Sequence, residues 1–313
     1  MAADKARNNV VKHKKRFYMT NRRRDALAGF LFVLPWIIGF FVITCYPLIY
    51  SIKITFNQVM IKPGRIGFEH VGWEYVRQAL MVDDEFPEHL LASLMDVFLG
   101  TPLVVVFAII IALLLNRSFH GRSIYRIIFF LPVIIMSGPV MSELLEQTSA
   151  MNININIFGL MGLLREMDDT WGNLLITFLN SFVRILWFSG VQTIIFLAAL
   201  QKIDRGMYEA ASIDGATGWE SFWKITLPHL KSIILLNTVY TIVEMGTFAD
   251  DVTNEQIVES IDDIARPYSY AAAMSWIYAA CLLVMIILAC LLLTDWKERR
   301  RARIERQNNL RKA

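Results

Sequence analysis

The feature that most restricts this chain is a recurring apolar window about 20 residues long, the length a helix needs to cross roughly 30 Å of hydrocarbon. Six such windows run near residues 26–52, 90–115, 123–146, 174–200, 231–249 and 271–295. A soluble domain has no means of burying so many. A composition of 55% hydrophobic and 19% charged residues points the same way. The sequence therefore predicts an all-α integral membrane protein with six transmembrane helices.

The placement of charge orients it. Lys12, Lys14, Lys15, Arg16, Arg22, Arg23 and Arg24 precede the first window, and Lys297, Arg299, Arg300, Arg301, Arg303 and Arg306 follow the last. Basic flanks mark the cytoplasmic side, so both ends are predicted inside, which requires an even number of crossings. Arg117, Arg122 and Arg126 place the connector after the second window inside as well, while the acidic stretches 83–88, 166–169 and 250–263 face out. Because topology accounts for the basic tails, they imply membrane lipid rather than nucleic acid as their neighbour. The expected division is a basic tail 1–25, a membrane domain 26–295 containing a cytoplasmic loop 201–230, and a second basic tail 296–313. The first window is too long for the apolar part of a signal peptide and reads as a retained helix.

Cys45, Cys281 and Cys290 fall inside windows without metal-ligand spacing and are expected to pack. Neither a metal nor a cofactor is expected. Pro35 and Pro47 in the first window, Gly100 and Pro102 in the second, and Pro132, Gly138 and Pro139 in the third interrupt the helical pattern. Such interruptions persist in a membrane where neighbours or a polar cavity satisfy the backbone, which suggests a packed bundle. Residues 53–89 read as a short amphipathic outer helix with Trp73 and Tyr75 as interfacial anchors. The "NININIFG" stretch from Asn152 to Gly159 reads as a strand or an extended loop.

The stretch "EAASIDGATGWESFWKITLP", Glu209 to Pro228, is soluble in character yet lies between two windows. Asp204 is placed to cap a helix over Met207 to Asp214, and Gly215 to stop it. Thr217 and Glu220 form a capping-box pattern for a second helix, with Pro228 at the junction to the next window. Trp219, Phe222 and Trp223 at i, i+3 and i+4 share one face of that helix. Three such aromatics need the interface, the protein's own inner end or a partner's pocket. The polar face carries Glu220 against Lys224, and the preceding helix adds Glu209 and Asp214, which favours a protein over lipid. Ala210 and Ala211 allow close approach, and Glu209 offers a charge to a cation. An ordinary connector packed on its own bundle is the alternative.

The spacing Glu209, Ala210, Ala211, three residues, Gly215, nine residues, Ile225, one residue, Leu227, Pro228 resembles the E-A-A-x3-G-x9-I-x-L-P loop of membrane-spanning subunits of ATP-binding-cassette importers. A chance match at these positions is roughly one in a million or less. The likeness extends through "LPW" (34–36), "RSIYRIIFFLP" and "IIFLAALQKID", and with Trp219 and "ITLP" it is nearest the carbohydrate branch, of the maltose or glycerol-phosphate type. The resemblance implies a type I importer permease fold in a bacterial inner membrane, with a cytoplasmic coupling helix between helices 4 and 5. It implies that Glu209, Ala210, Ala211, Gly215, Trp219, Phe222, Trp223, Ile225, Leu227 and Pro228 seat in a groove of a cytoplasmic ATPase dimer, Glu209 meeting a basic residue there. It further implies a second homologous permease forming a heterodimer, an extracellular solute-binding protein, and a sugar or oligosaccharide as solute. A glycerol-phosphate compound is the alternative solute. No G-x4-G-K-[ST] loop occurs, so the chain is not expected to hydrolyse ATP itself or to be an enzyme. The segment "DDVTNEQIVESIDDIARPYSY" (250–270) departs from the family's frequent glycine-rich outer segment.

Charges inside windows are expensive and mark candidate function. Arg184 and Glu244 lie at similar predicted depths and are placed to pair. Asn180, Arg184 and Trp187 share a face of the fourth helix, and Asn237, Thr241, Glu244 and Phe248 share one of the fifth. Polar groups beside aromatic rings suit sugar passage; a structural bridge and a contact with the second permease are the alternatives. Glu143, Glu146 and Gln147 read as solvated residues at the outer end of the third helix. A self-contained secondary transporter and a membrane anchor that recruits a cytoplasmic protein remain as other classes; the first leaves the aromatic loop unexplained, the second the polar stripes.

Overall fold

The computed structural model describes residues 21–62, 65–117, 124, 169–248, 251–263 and 266–294. The expected third helix apart from residue 124, residues 1–20 of the first basic tail, the whole of the second, residues 143–147 and the "NININIFG" stretch lie outside them, while residues 21–25, expected in the first tail, are part of a helix. The chain divides into two compact units, residues 1–54 and 55–313.

The first unit is a helical rod: α1 (Asn21–Gly39), a wide π-helical segment (Phe40–Cys45) and the start of α2 (Tyr46–Thr55). Its apolar residues lie all round the axis, as lipid requires. Phe32, Trp36 and Ile43 are exposed, and Trp36 stacks on Phe40. Pro35 is carried within α1, whereas the π segment ends just ahead of Pro47. A proline lacks the N–H that closes the preceding turn and crowds its carbonyl, so widening that turn relieves both problems.

The second unit opens with a β-hairpin, β1 (Asn57–Lys62) against β2 (Arg65–His70), where the sequence predicts an amphipathic helix. Only α3 (Glu74–Met81) is helical in that stretch. The fold is thus mostly helical rather than all-α. Val59, Phe68 and their neighbours obey the period of two that a strand uses, and Ser269 pins the hairpin by accepting from Val59 N and donating to the Asn57 carbonyl at 2.6 Å. Trp73 stays exposed, edge-on to Phe56, as an interfacial residue would. Tyr75, the other expected anchor, is buried in the core instead, because it sits on the face of α3 that also carries buried Ala79.

The bundle follows: α4 (Glu85–Asn116), α5 (Asp169–Leu200), α6 (Arg205–Ile213), α7 (Gly218–Ser221), a second π segment (Phe222–Thr226), α8 (Leu227–Gly246), α9 (Val252–Asp262) and α10 (Tyr268–Leu293). Among the described residues three helical stretches are long and apolar enough to cross a membrane, Asp25–Thr55, Glu85–Asn116 and Tyr268–Leu293. A fourth is counted if Arg184–Leu200 and Arg205–Ile213, bent by 67°, are taken as one. The α4 helix continues through Pro102, and its buried stripe Phe86, Leu90, Ser93, Val97, Thr101, Val104 and Ala108 faces the other helices while Leu91, Phe98 and Leu99 face away.

Two core clusters stack along the bundle. Near the hairpin, Phe86, Val97, Phe188, Ile242, Met245, Met274 and Leu282 interlock. Gly246 is a close-approach point there, since a Cβ would stand 2.7 Å from the Leu282 methyls. Near the loop, Val105, Ala108, Ala112, Phe196, Leu197, Leu200 and Leu230 form the second cluster, with Ile203 and Phe222 packed on it. The cysteines are free and partly buried. The acidic stretch after α8 forms α9, capped by the Asp251 carboxylate and buried through Thr253, Gln256, Ile257 and Ser260.

Candidate functional site

Two places hold the residues marked by the sequence. The first is the knob, residues 204–226. Asp204 caps α6 by accepting from Gly206 N at 3.0 Å, and the helix starts at Arg205, two residues ahead of the sequence-based boundary. Its end is a Schellman turn: Gly215 N donates to the Ser212 carbonyl and Ala216 N to that of Ala211. Gly215 makes this possible at φ +81°, in the left-handed region. The capping box then opens α7, with Glu220 N donating to Thr217 Oγ1 and Thr217 N to Glu220 Oε2 at 2.9 Å. The Thr217 amide, the Thr217 hydroxyl and Lys224 hold the Glu220 carboxyl below the ordinary glutamate range.

The knob thus satisfies its polar groups internally and leaves its apolar ones outside. Trp219 and Trp223 meet edge to face at 5.5 Å, and Phe222 lies within 6.2 Å of both rings. Phe222 roots this cluster in the bundle, whereas Trp219 is 70% and Trp223 49% exposed. Ile213 and Met207 are exposed on the neighbouring helix, as are Glu209 and Ala210. Between the helices lies an open groove of about 360 Å³ lined by Ala211, Asp214, Gly215, Glu220, Lys224 and Ile225. Tyr208 and Thr226 share a hydrogen bond of 2.9 Å that ties α6 to the π segment. Leu227 and Pro228 begin α8 without a break after that segment, so the chain from Gly218 to Gly246 is one continuous helical rod. As at Pro47, the π turn lies immediately ahead of the proline.

The second place is the middle of the bundle. Arg184 does not pair with Glu244; it pairs with Asp96 of α4, with the guanidinium also 5.9 Å over the Phe188 ring. Glu244 accepts instead from Gln192 Nε2 at 2.7 Å. Counting residues from the window ends set Arg184 and Glu244 level, but Gln192 is eight residues beyond Arg184, about 12 Å along α5. The stripe on α8 holds for three of its four positions: Asn237 and Thr241 are fully buried and Glu244 is half-buried, whereas Phe248 lies past the end of the helix, where it meets Phe188 edge-on at 5.2 Å. Trp187 is half-buried with its indole N–H unpaired; Gln192 Oε1, Thr193 Oγ1 and Asn237 Oδ1 are likewise buried without a partner among the described residues. For Asn180 only its place on α5 is described.

Sequence reasoning missed Gln192 and Asp96. Neither continues the stripes it followed, yet each is a polar residue within an apolar run, and that alone marks a candidate. Asp251 was also missed. It is buried and accepts from Ser93 Oγ at 2.8 Å, joining α9 to α4. At the hairpin end, burial raises the Asp83 carboxyl, but the Tyr270 hydroxyl, the Phe86 and Glu85 amides and Arg266 together outweigh it and hold the group below the ordinary aspartate range.

A helical bundle with span-length apolar helices and a compact knob between two of its members fits an importer permease. The chain belongs to the family described as binding-protein-dependent transport system inner membrane component, which it matches over residues 79–302. It is 30% identical to the probable ABC transporter permease protein YesP of Bacillus subtilis (strain 168), over 87% of this chain and 90% of that one. It is 29% identical to the lactose transport system permease protein LacF of Rhizobium radiobacter, over 77% of each. Among solved structures, a bacterial ABC transporter involved in import of the acidic polysaccharide alginate superposes with a TM-score of 0.60 at 22% identity, over 87% of this chain and 96% of that one. The protein is therefore the permease of an ABC importer, an inner membrane component rather than the subunit that hydrolyses nucleotide, and works within a binding-protein-dependent complex.

Proposed function

We propose that this permease forms half of the pathway for a sugar or oligosaccharide and takes its driving force from a cytoplasmic ATPase dimer through the knob. The observation that carries the coupling role is the exposure of Trp219 and Trp223 on a unit that runs without a break into α8 and joins α5 through a four-residue turn. A rigid turn at Gly215 and an internally satisfied cap make the knob a lever rather than a loose connector. Glu209, Ala210, Ala211, Ile225, Leu227 and Pro228 complete the contact surface, with Glu209 available to a cation of the ATPase.

The chain crosses six times with both termini cytoplasmic, as the basic flanks require. Residues 1–25 and 296–313 are the tails and 26–295 the membrane domain. A second homologous permease completes the pathway, and an extracellular solute-binding protein delivers the solute. In the pathway, Asn237, Thr241, Glu244 and Trp187 supply hydrogen-bonding groups and Phe248 an aromatic face, with Asn180 and Arg184 further along α5. The unpaired buried polar atoms of Trp187, Gln192 and Asn237 suit hydroxyl groups. The saccharide class is further supported by relatives named for lactose and for arabinooligosaccharides.

Copurification tests the reading: tagged protein should bring down an ATPase and a second permease, and uptake of a labelled saccharide panel into vesicles should require ATP. ATP-independent uptake by the purified chain alone would overturn it.

A further inference from the structure

The two helices that carry the knob are joined by a residue that neither charge nor aromatic pattern singles out. Gln192 of α5 is completely buried. Its Nε2 donates to Thr241 Oγ1 at 2.9 Å and to Glu244 Oε2 at 2.7 Å. Its backbone carbonyl accepts from Asn237 Nδ2 at 3.4 Å, and Thr241 in turn donates to the Asn237 carbonyl at 2.8 Å. One position of α5 therefore holds three successive stripe positions of α8.

The neighbouring contacts are of another kind. Toward the knob, α5 and α8 meet through Leu197, Leu200 and Leu230, which are apolar and indifferent to small rotations. Hydrogen bonds are directional, and in a water-poor interior they have no competing solvent. A single residue whose side-chain N–H groups bond two side chains and whose backbone carbonyl accepts from a third sets both rotation and axial register between the helices.

We infer that Gln192 is a positioning residue for transport: it clasps α5 to α8 so that both move with the knob as one body, and it orients the Glu244 carboxylate in the stripe. The inference rests on the coupling role proposed above. Without the clasp a displaced knob would part the helices at mid-length, and motion would be lost before it reached the pathway. Both ends of the clasp lie among residues assigned to the solute path, so the lever and the site share one set of bonds.

The test uses the whole complex in nanodiscs, with Cys45, Cys281 and Cys290 replaced by Ser and spin labels introduced through Phe182→Cys on α5 and Val243→Cys on α8, both exposed positions. Distances are read without nucleotide and after trapping with ATP and vanadate. With Gln192 present, the distribution should be narrow and shift by less than about 1 Å on trapping, below the ~1–2 Å of a helix sliding on its neighbour. In Gln192→Leu it should broaden without nucleotide and shift by more than about 2 Å on trapping.

Because Gln192→Leu removes a buried amide and could fail to assemble, a second pair of variants keeps the outcome readable. Gln192→Glu sets two carboxylates face to face and should broaden the distribution; adding Glu244→Gln restores a donor and an acceptor with their places exchanged and should narrow it again. Unchanged distributions in Gln192→Leu, or a double variant no narrower than Gln192→Glu, would overturn the inference. Solute affinity of Glu244→Gln is a separate measurement. Were that affinity unaltered while the label distances behaved as described, the pathway assignment would fall and the clasp would stand.

Discussion

The knob and the mid-bundle stripe use polar and apolar groups in opposite ways. In the knob, hydrogen bonding is closed within about twenty residues by the Asp204 cap, the Gly215 turn and the Thr217–Glu220 box, and the Trp219 and Trp223 rings are turned outward. In the stripe, rings and aliphatic residues are packed while Asn237, Thr241 and Gln192 are buried, with Asn237 Oδ1 and Gln192 Oε1 unpaired among the described residues. A surface that must grip another protein gains from exposed apolar area on a self-sufficient frame. A route for a hydroxyl-bearing solute gains from polar groups that are held in place yet keep bonding capacity. The contrast teaches that exposed hydrophobicity and buried polarity, each a cost in an ordinary domain, single out the two regions to which the proposed coupling and pathway roles are given.

The largest effect that separates the two regions is expected at Gly215. Its φ of +81° is unfavourable for a branched side chain, although no neighbouring atom blocks a Cβ. Gly215→Val should strain the turn by about 1–2 kcal/mol and abolish ATP-driven uptake, while insertion and the melting of the bundle stay unchanged. Normal uptake by this variant would end the coupling assignment. Next, Trp219→Ala should weaken association with the ATPase by about 30-fold, in line with the ~2 kcal/mol of an interfacial hot spot, with little change in the stability of the isolated chain because the ring is mostly exposed. Titrating detergent-purified protein with the ATPase measures both.

In the stripe the order reverses, and stability should respond before assembly does. Arg184→Met leaves Asp96 without its cation and should cost about 1–3 kcal/mol, discounted because both side chains are partly exposed; adding Asp96→Leu should recover most of the loss. Thermal unfolding in detergent distinguishes this from two independent costs. The smallest effect concerns pH at the knob. Since Glu220 titrates below its ordinary value of 4.5, the capping box gives its full contribution above that value and loses it as the pH falls through the lowered one. Hydrogen exchange at the Thr217 amide should accelerate over that acidic window relative to a Glu220→Gln control, and an identical profile for both would remove Glu220 from the cap.

Much of the knob was legible because its interactions are local. Asp204 acts two residues away, Glu220 three, and the aromatic face follows from helical periodicity alone; only the boundary of α6 was displaced, by two residues. The stripe was legible in membership but not in pairing. Asn237, Thr241 and Glu244 lie on one face as their spacing demands, whereas Phe248 falls past the end of α8; Glu244 meets Gln192, and Arg184 meets Asp96, because pairing depends on how far one helix slides past another. The hairpin at 57–70 was misread for a different reason. Its alternation of apolar and polar residues is weak beside the helical signal of α3, and its anchor, Ser269, is over two hundred residues away.

Sequence alone determined that this chain belongs in a bilayer, that long apolar helices run through 26–52, 90–115 and 271–295, and that a capped, aromatic two-helix unit lies between two helices of the bundle, since all of these follow from hydropathy and from contacts within a few residues. Tertiary structure alone decided which polar groups meet inside the bundle and that Tyr75 and Asp251 are buried. Those outcomes depend on the depth and rotation at which separate helices pack, and such packing is set by the summed fit of many side chains rather than by any one stretch of residues.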